Sequence, residues 1–201
     1  MAKIIVVEGA DKVGKATQTN ILRDALPKSV LVEVPTKGLT HKVIYWMLKN
    51  GLAKRLPNAF QFVQFLNKLV FQTFSLPKLL RTYDYVILDR WALSGLVYGE
   101  ATGVNDWFNN VLYMVLRKPD ITIIMTGTSF KRGKADDVYE KDSDLQTAVK
   151  ARYWSIGTSD GWPGHELLYN GGTREEVFHR VLGVLVHAGI IDSVDAPWGH
   201  V

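Results

Sequence analysis

The sequence contains no cysteine, and that alone removes disulfides, zinc thiolates and cysteine nucleophiles from consideration. It has no run of 18 apolar residues, so no membrane-spanning helix is expected. Internal repeats and low-complexity tracts are missing, which argues against solenoids and disordered arrays. The histidines, at 41, 165, 179, 187 and 200, fall into no metal-ligand spacing. The tryptophans are dispersed and build no stacking platform for single-stranded nucleic acid, and the basic residues form no stripe. The amino terminus runs straight into an apolar β-branched segment, leaving no room for a secretory leader. The expectation is a cytoplasmic protein with neither nucleic acid nor membrane as partner.

What is present is globular: 47% apolar and 22% charged residues over 201 positions, enough for one core and too few for two domains. The net charge of +4 suits anionic small molecules. Short β-branched runs at 4–7, 30–34, 85–88, 121–125 and 167–169 alternate with helical patterns at 17–26, 41–50, 59–80, 106–116, 143–154 and 173–187. Such alternation predicts a single three-layer α/β domain over 1–201, with a parallel five-stranded sheet flanked by helices and a ligand at the strands' carboxyl ends. The polar segment 128–142 has the length of a lid over such a site. Residues 156–164 read as an exposed loop and 195–201 as a loose tail.

Gly9-Ala10-Asp11-Lys12-Val13-Gly14-Lys15-Ala16-Thr17 follows the first strand and opens a helix. This is Gly-x₄-Gly-Lys in a strand–loop–helix setting, the P-loop arrangement. Gly9 and Gly14 let backbone N–H groups converge on phosphate, the helix N-terminus adds positive potential, and Lys15 reaches the outer phosphates. Ala16 departs from the pattern, since a hydroxyl at that position ordinarily helps to hold Mg²⁺. How the metal is held is therefore open, and a loop that binds nucleotide without turnover remains an alternative.

A second anchor follows the strand at 85–88. Asp89 is placed to orient metal-bound water, and Arg90 to clamp phosphate oxygens. Taken with Glu8-Gly9-x-Asp11-x-x-Gly14-Lys15-x-Thr17-Gln18, the run Asp89-Arg90-Trp91-Ala92-x-Ser94-Gly95-x-x-Tyr98 resembles the thymidylate kinase family. Pro119-Asp120, Lys131-Arg132-Gly133, Tyr139-Glu140, Gln146 and Ala151-Arg152-Tyr153 extend the likeness in order along the chain.

The resemblance implies a P-loop NTPase fold and transfer from Mg²⁺–ATP to a deoxynucleoside monophosphate, most simply dTMP. Another deoxynucleotide is the nearest alternative. It implies that Lys15, Arg90, Lys12 and Asp89 serve catalysis, with Lys12 standing where relatives place a P-loop arginine. ATP would meet the loop from Gly9 through Val13, Gly14, Ala16 and Thr17, with Arg132 against adenine. Asp11 would bond the sugar 3′-hydroxyl, and Gly95, Tyr98 and Tyr139 would wall the sugar. It also implies a homodimer, for which the apolar helix at 59–80 is the candidate surface.

For the base, the resemblance implies a stacking aromatic and a cation on the helix before Asp89. One count places Phe65 at the aromatic position and Leu69 at the cationic one. A one-residue slip restores a cation at Lys68 and loses the aromatic, and Phe62, Phe65, Leu66 and Leu69 also have the spacing of plain core. Glu33 stands where the family carries an arginine for the acceptor phosphate, with Lys37 the nearest substitute in sequence.

Overall fold

The computed structural model describes residues 2–128, 142–159 and 164–192. β1 (Lys3–Gly9), β3 (Tyr85–Asp89) and β4 (Ile121–Thr126) form the centre of a parallel sheet and are almost wholly buried, because helices cover both faces. β2 (Ser29–Glu33) and β5 (His165–Tyr169) are its edges, giving the order β2-β3-β1-β4-β5. The five strands and their parallel pairing are those expected from the β-branched runs.

Alternation along β1 divides the core. Ile5 and Val7 join one apolar cluster with Leu22, Val149 and Val181, while Ile4 and Val6 join a second with Phe71, Leu76 and Leu112. The chain winds from β1 to β2 and β3, then crosses to β4. The direction of winding thus reverses at β1, and the crevice beyond its carboxyl end is where such sheets bind ligands.

The helices are α1 (Lys15–Ala25), α2 (Leu39–Lys49), α3 (Leu52–Arg55), α4 (Pro57–Val70), α5 (Leu76–Thr82), α6 (Ala92–Ala101), α7 (Asp106–Met114), α8 (Ser143–Gly157) and α9 (Arg174–His187). The pattern at 59–80 is one long helix interrupted by a wide turn at Phe71–Ser75. Pro77 explains the interruption: it cannot donate to the carbonyl four residues back, and its ring crowds that carbonyl.

Two helices were not anticipated. α3 is a single turn, and α6 carries Gly95 and Gly99, which weaken a helical pattern. Their use is in packing. A Cβ at Gly95 would overlap the Tyr113 ring, and one at Gly99 the Asn109 amide, so glycine lets α6 press against α7. Among the described residues no helix is long and apolar enough to cross a membrane. The lid expected at 128–142 falls, over 129–141, outside the described residues together with Arg132 and Tyr139, as does the tail at 195–201.

Candidate active site

The loop between β1 and α1 is shaped by backbone conformations that side chains ordinarily avoid. Gly9 (φ 141°), Lys12 (φ 65°) and Gly14 (φ 90°) all lie at positive φ, and a Cβ on Gly9 would fall on the Met125 carbonyl. Gly14 begins α1, whose first turn no described side chain caps, so its N–H groups face the loop. Asn170, after β5, donates to the Val13 carbonyl at 3.0 Å and to the Thr128 carbonyl at 2.7 Å. In a trans peptide this turns the Gly14 N–H away from Asn170. Lys15 is buried and donates from Nζ to the Ala10 carbonyl at 2.6 Å. Burial, followed by the charge of Arg90, pushes its ammonium down to about 8.

A cavity of about 780 Å³ opens over this loop, lined by residues 11–18, Asp89, Arg90 and, at its far end, Asn170, Thr173 and Arg174. A second, of about 270 Å³, runs between α2, α4 and α6, and the two share Asp11, Val34, Pro35, His41 and Arg90. One part of the cleft therefore offers a phosphate cradle and the other a pocket of nucleobase size, joined at an aspartate–arginine pair.

That pair is tightly held. Arg90, at φ 72°, bonds Asp11 Oδ1 through Nη2 and the Gly9 carbonyl through Nη1 at 3.2 Å, and lies over the Tyr98 ring. Tyr98 Oη and Gln146 Nε2 donate to Asp11 Oδ2 at 2.7 and 2.8 Å. Burial would raise the Asp11 carboxyl, but Arg90, Lys15 and these two donors outweigh it and hold it below the ordinary carboxylate value. Burial pushes the Tyr98 hydroxyl upward, so it serves as a donor at neutral pH.

Asp89 ends β3 with Oδ1 buried and, among the described residues, without a hydrogen bond. An anionic oxygen left in that state beside Lys15, in the wall of the phosphate cavity, fits a partner such as the hydration shell of Mg²⁺. Ala16 is exposed and supplies no oxygen, and Thr17 lines the same cavity.

Phe65 is buried in the core, edge-on to Tyr113, and is not part of the cavity wall. The α4 residues that line the cavity are Phe60, Gln61, Gln64 and Lys68, so the aromatic there is Phe60 and not the expected Phe65. Lys68 is 3% exposed, sits over the Tyr113 ring at 5.3 Å, and makes no hydrogen bond among the described residues. Burial pushes its ammonium down to about 8, against the pull of Glu8. Gln61 donates to the Gly95 carbonyl and to Asn109 Oδ1 at 2.9 Å. Because the Gly95 carbonyl can only accept, the amide orientation is set and its oxygen is left for another donor.

Gly95 and Tyr98 line the smaller part of the cleft, Lys12 lines the larger, and Glu33 reaches the larger with Val34 and Pro35. Lys37 lines neither; His41, on the first turn of α2, lines both. Glu8, Gln61, Asn170 and His41 were not assigned roles from the sequence. Glu8 carried the one visible signal, a carboxylate at the end of an apolar strand.

Comparison with known proteins follows from this geometry. A family model described as thymidylate kinase matches residues 7–162. A probable thymidylate kinase of Methanococcus vannielii is 28% identical over 192 residues, covering 90% of this chain and 94% of its own. Another, from Pyrobaculum calidifontis, is 27% identical over 190 residues, covering 92% and 96%. Among solved structures, thymidylate kinase from Candida albicans superposes with a TM-score of 0.77 at 24% identity, covering 94% of this chain and 92% of its own. That of Ehrlichia chaffeensis gives 0.68 at 20%, covering 92% and 98%. At those identities the structures establish a shared fold.

Proposed function

The chain belongs to the thymidylate kinase family of nucleoside-monophosphate kinases, and on that premise we propose that it transfers the γ-phosphoryl group of ATP to the 5′-phosphate of dTMP, giving ADP and dTDP. The observation that carries this reading is the two-part cleft joined at Asp11 and Arg90, with a buried ammonium in the wall of its smaller part that makes no hydrogen bond among the described residues.

ATP lies along the phosphate cavity, its β- and γ-phosphates on the loop N–H groups and on Lys15. Arg90 releases one bond to Asp11 to clamp acceptor and transferring phosphoryl oxygens, and Lys12 adds charge without the fork an arginine would offer. A phosphate oxygen is already nucleophilic, so positioning and charge neutralisation suffice and no strong base is required. Mg²⁺ carried in with ATP neutralises the phosphates, and Asp89 is the residue that would hold it through water. Asp11 receives the sugar 3′-hydroxyl, against a wall made by Tyr98 and Gly95.

For the base, Lys68 supplies a donor and the Gln61 oxygen an acceptor. With Lys68 toward the carbonyl, that pair suits a ring N–H beside a carbonyl, as in thymine, uracil or guanine, and opposes the amino groups of cytosine and adenine. A cytoplasmic setting, where ATP is plentiful, belongs to the same reading. So does a second copy of this chain docked on the apolar face of α4 and α7.

The test is ADP release with dTMP, dUMP, dGMP, dAMP and dCMP. The expected order places dTMP first and dCMP and dAMP last. Thermal stabilisation by ATP without product from any acceptor would instead mark a binding protein, the reading that Ala16 and Glu33 favour.

A further inference from the structure

The mechanism above makes no use of the most deeply buried acid among the described residues. Glu8 is 0% exposed, on β1 immediately before the phosphate loop. Among the described residues no basic side chain forms an ion pair with it. Its Oε1 accepts from the backbone N–H of Trp91 at 2.7 Å and of Ser94 at 3.1 Å. Its Oε2 accepts from the Ser94 hydroxyl and from Tyr153 Oη at 3.0 Å, and Tyr153 Oη also lies 3.1 Å from Ser94 Oγ. A charge buried this completely is costly, and four donors from two other elements are spent on keeping it.

Those donors bracket Arg90. The Arg90 N–H is held by the Val7 carbonyl at 3.0 Å, and the next N–H in the chain is held by Glu8. Arg90 itself stands at φ 72°, which an L-residue adopts only when its surroundings impose it. Glu8 also faces the first turn of α6, where a negative charge is favourable.

Resting on the kinase reading, we propose that Glu8 is a positioning residue for phosphoryl transfer: its carboxylate locks the turn that presents Arg90 and supplies a counter-charge to Lys68. The acceptor part of the cleft adds a buried cation, Lys68, to the Asp11–Arg90 pair. Of the charged groups near Lys68, Glu8 on β1 attracts it and Arg90 repels it. Asp11, Tyr98 on α6, and His41 and Tyr45 on α2 line the same cavity, and Tyr113 on α7 lies under the ammonium.

Glu8→Gln separates the two duties. The amide keeps the shape, can still accept both backbone N–H groups, and can donate to the two hydroxyls, but it carries no charge. With dTMP and ATP, kcat is expected to fall about tenfold, the scale of one charge-assisted hydrogen bond. The alkaline limb of the pH–rate profile is expected to move about one unit toward acid as Lys68 loses its counter-charge. A Glu8→Gln enzyme with wild-type kcat and an unmoved limb overturns the proposal and leaves Glu8 a helix cap. If that variant does not fold, Tyr153→Phe decides, since it removes one bond to Oε2 and no atom of either cavity. A several-fold lower kcat at unchanged ATP KM supports the proposal, and wild-type kinetics overturn it. A wild-type protein inactive with every acceptor would instead overturn the kinase reading, and this proposal with it.

Discussion

A lysine ammonium buried without a hydrogen-bond partner persists where a ligand arrives to meet it, and Lys68 is such a group. Lys68→Met is expected to raise the KM for dTMP about 10–100-fold while leaving ATP binding near wild type. The same change removes the desolvation cost of a buried ammonium together with its attraction to Glu8, so the melting temperature is expected to stay near wild type. Steady-state kinetics beside a thermal melt check both halves. The pH dependence has opposite signs for rate and stability. Lys15 and Lys68 lie at about 8 in the folded protein against an ordinary 10.5, so transfer is expected to decline as pH rises through about 8. Between those values the unfolded chain binds more protons than the native one, and stability of the free protein is expected to rise with pH. Urea midpoints taken across that interval test the sign.

At the scale of elements, α6 joins the two halves of the site: its first turn is held by Glu8, its middle lines the acceptor cavity, and its glycines seat it on α7. Gly99→Ala drives a methyl into the Asn109 amide, which itself holds Gln61, and is expected to cost about 1–3 kcal/mol. Gly183→Ala, in α9 where an added Cβ meets nothing within 4 Å, is expected to stabilise by about 0.5–1 kcal/mol. Thermal melts of the pair separate packing from propensity. α6 was hidden in the sequence for the same reason. Two glycines four residues apart lower the local preference for helix, and the contact that repays them is with residues ten or more positions away.

For the whole molecule, the proposed second copy has a definite footprint. Phe62, Val70 and Phe74 on the long α4–α5 helix are exposed, as are Val111, Met114 and Val115 on and just after α7, which packs beside it. An apolar face of this extent is expected to be covered. Light scattering should give twice the 22.6 kDa chain mass, and Phe74→Glu combined with Met114→Glu should return it to the single value. The five parallel strands, the helices other than α3 and α6, and the strand–loop–helix run around Gly9–Thr17 were legible in the sequence. Each rests on local rules, namely alternation, glycine spacing and a strand running into a helix. Two things were not legible: which face of α4 meets the ligand, Phe65 or Lys68, and that Glu8 on β1 grips the turn at Arg90. A one-residue rotation of a helix leaves its periodicity intact, and a carboxylate's partners more than eighty residues away leave no trace in spacing. Only packing in three dimensions decides such questions, because it is there that a buried charge must find its donors or a ligand.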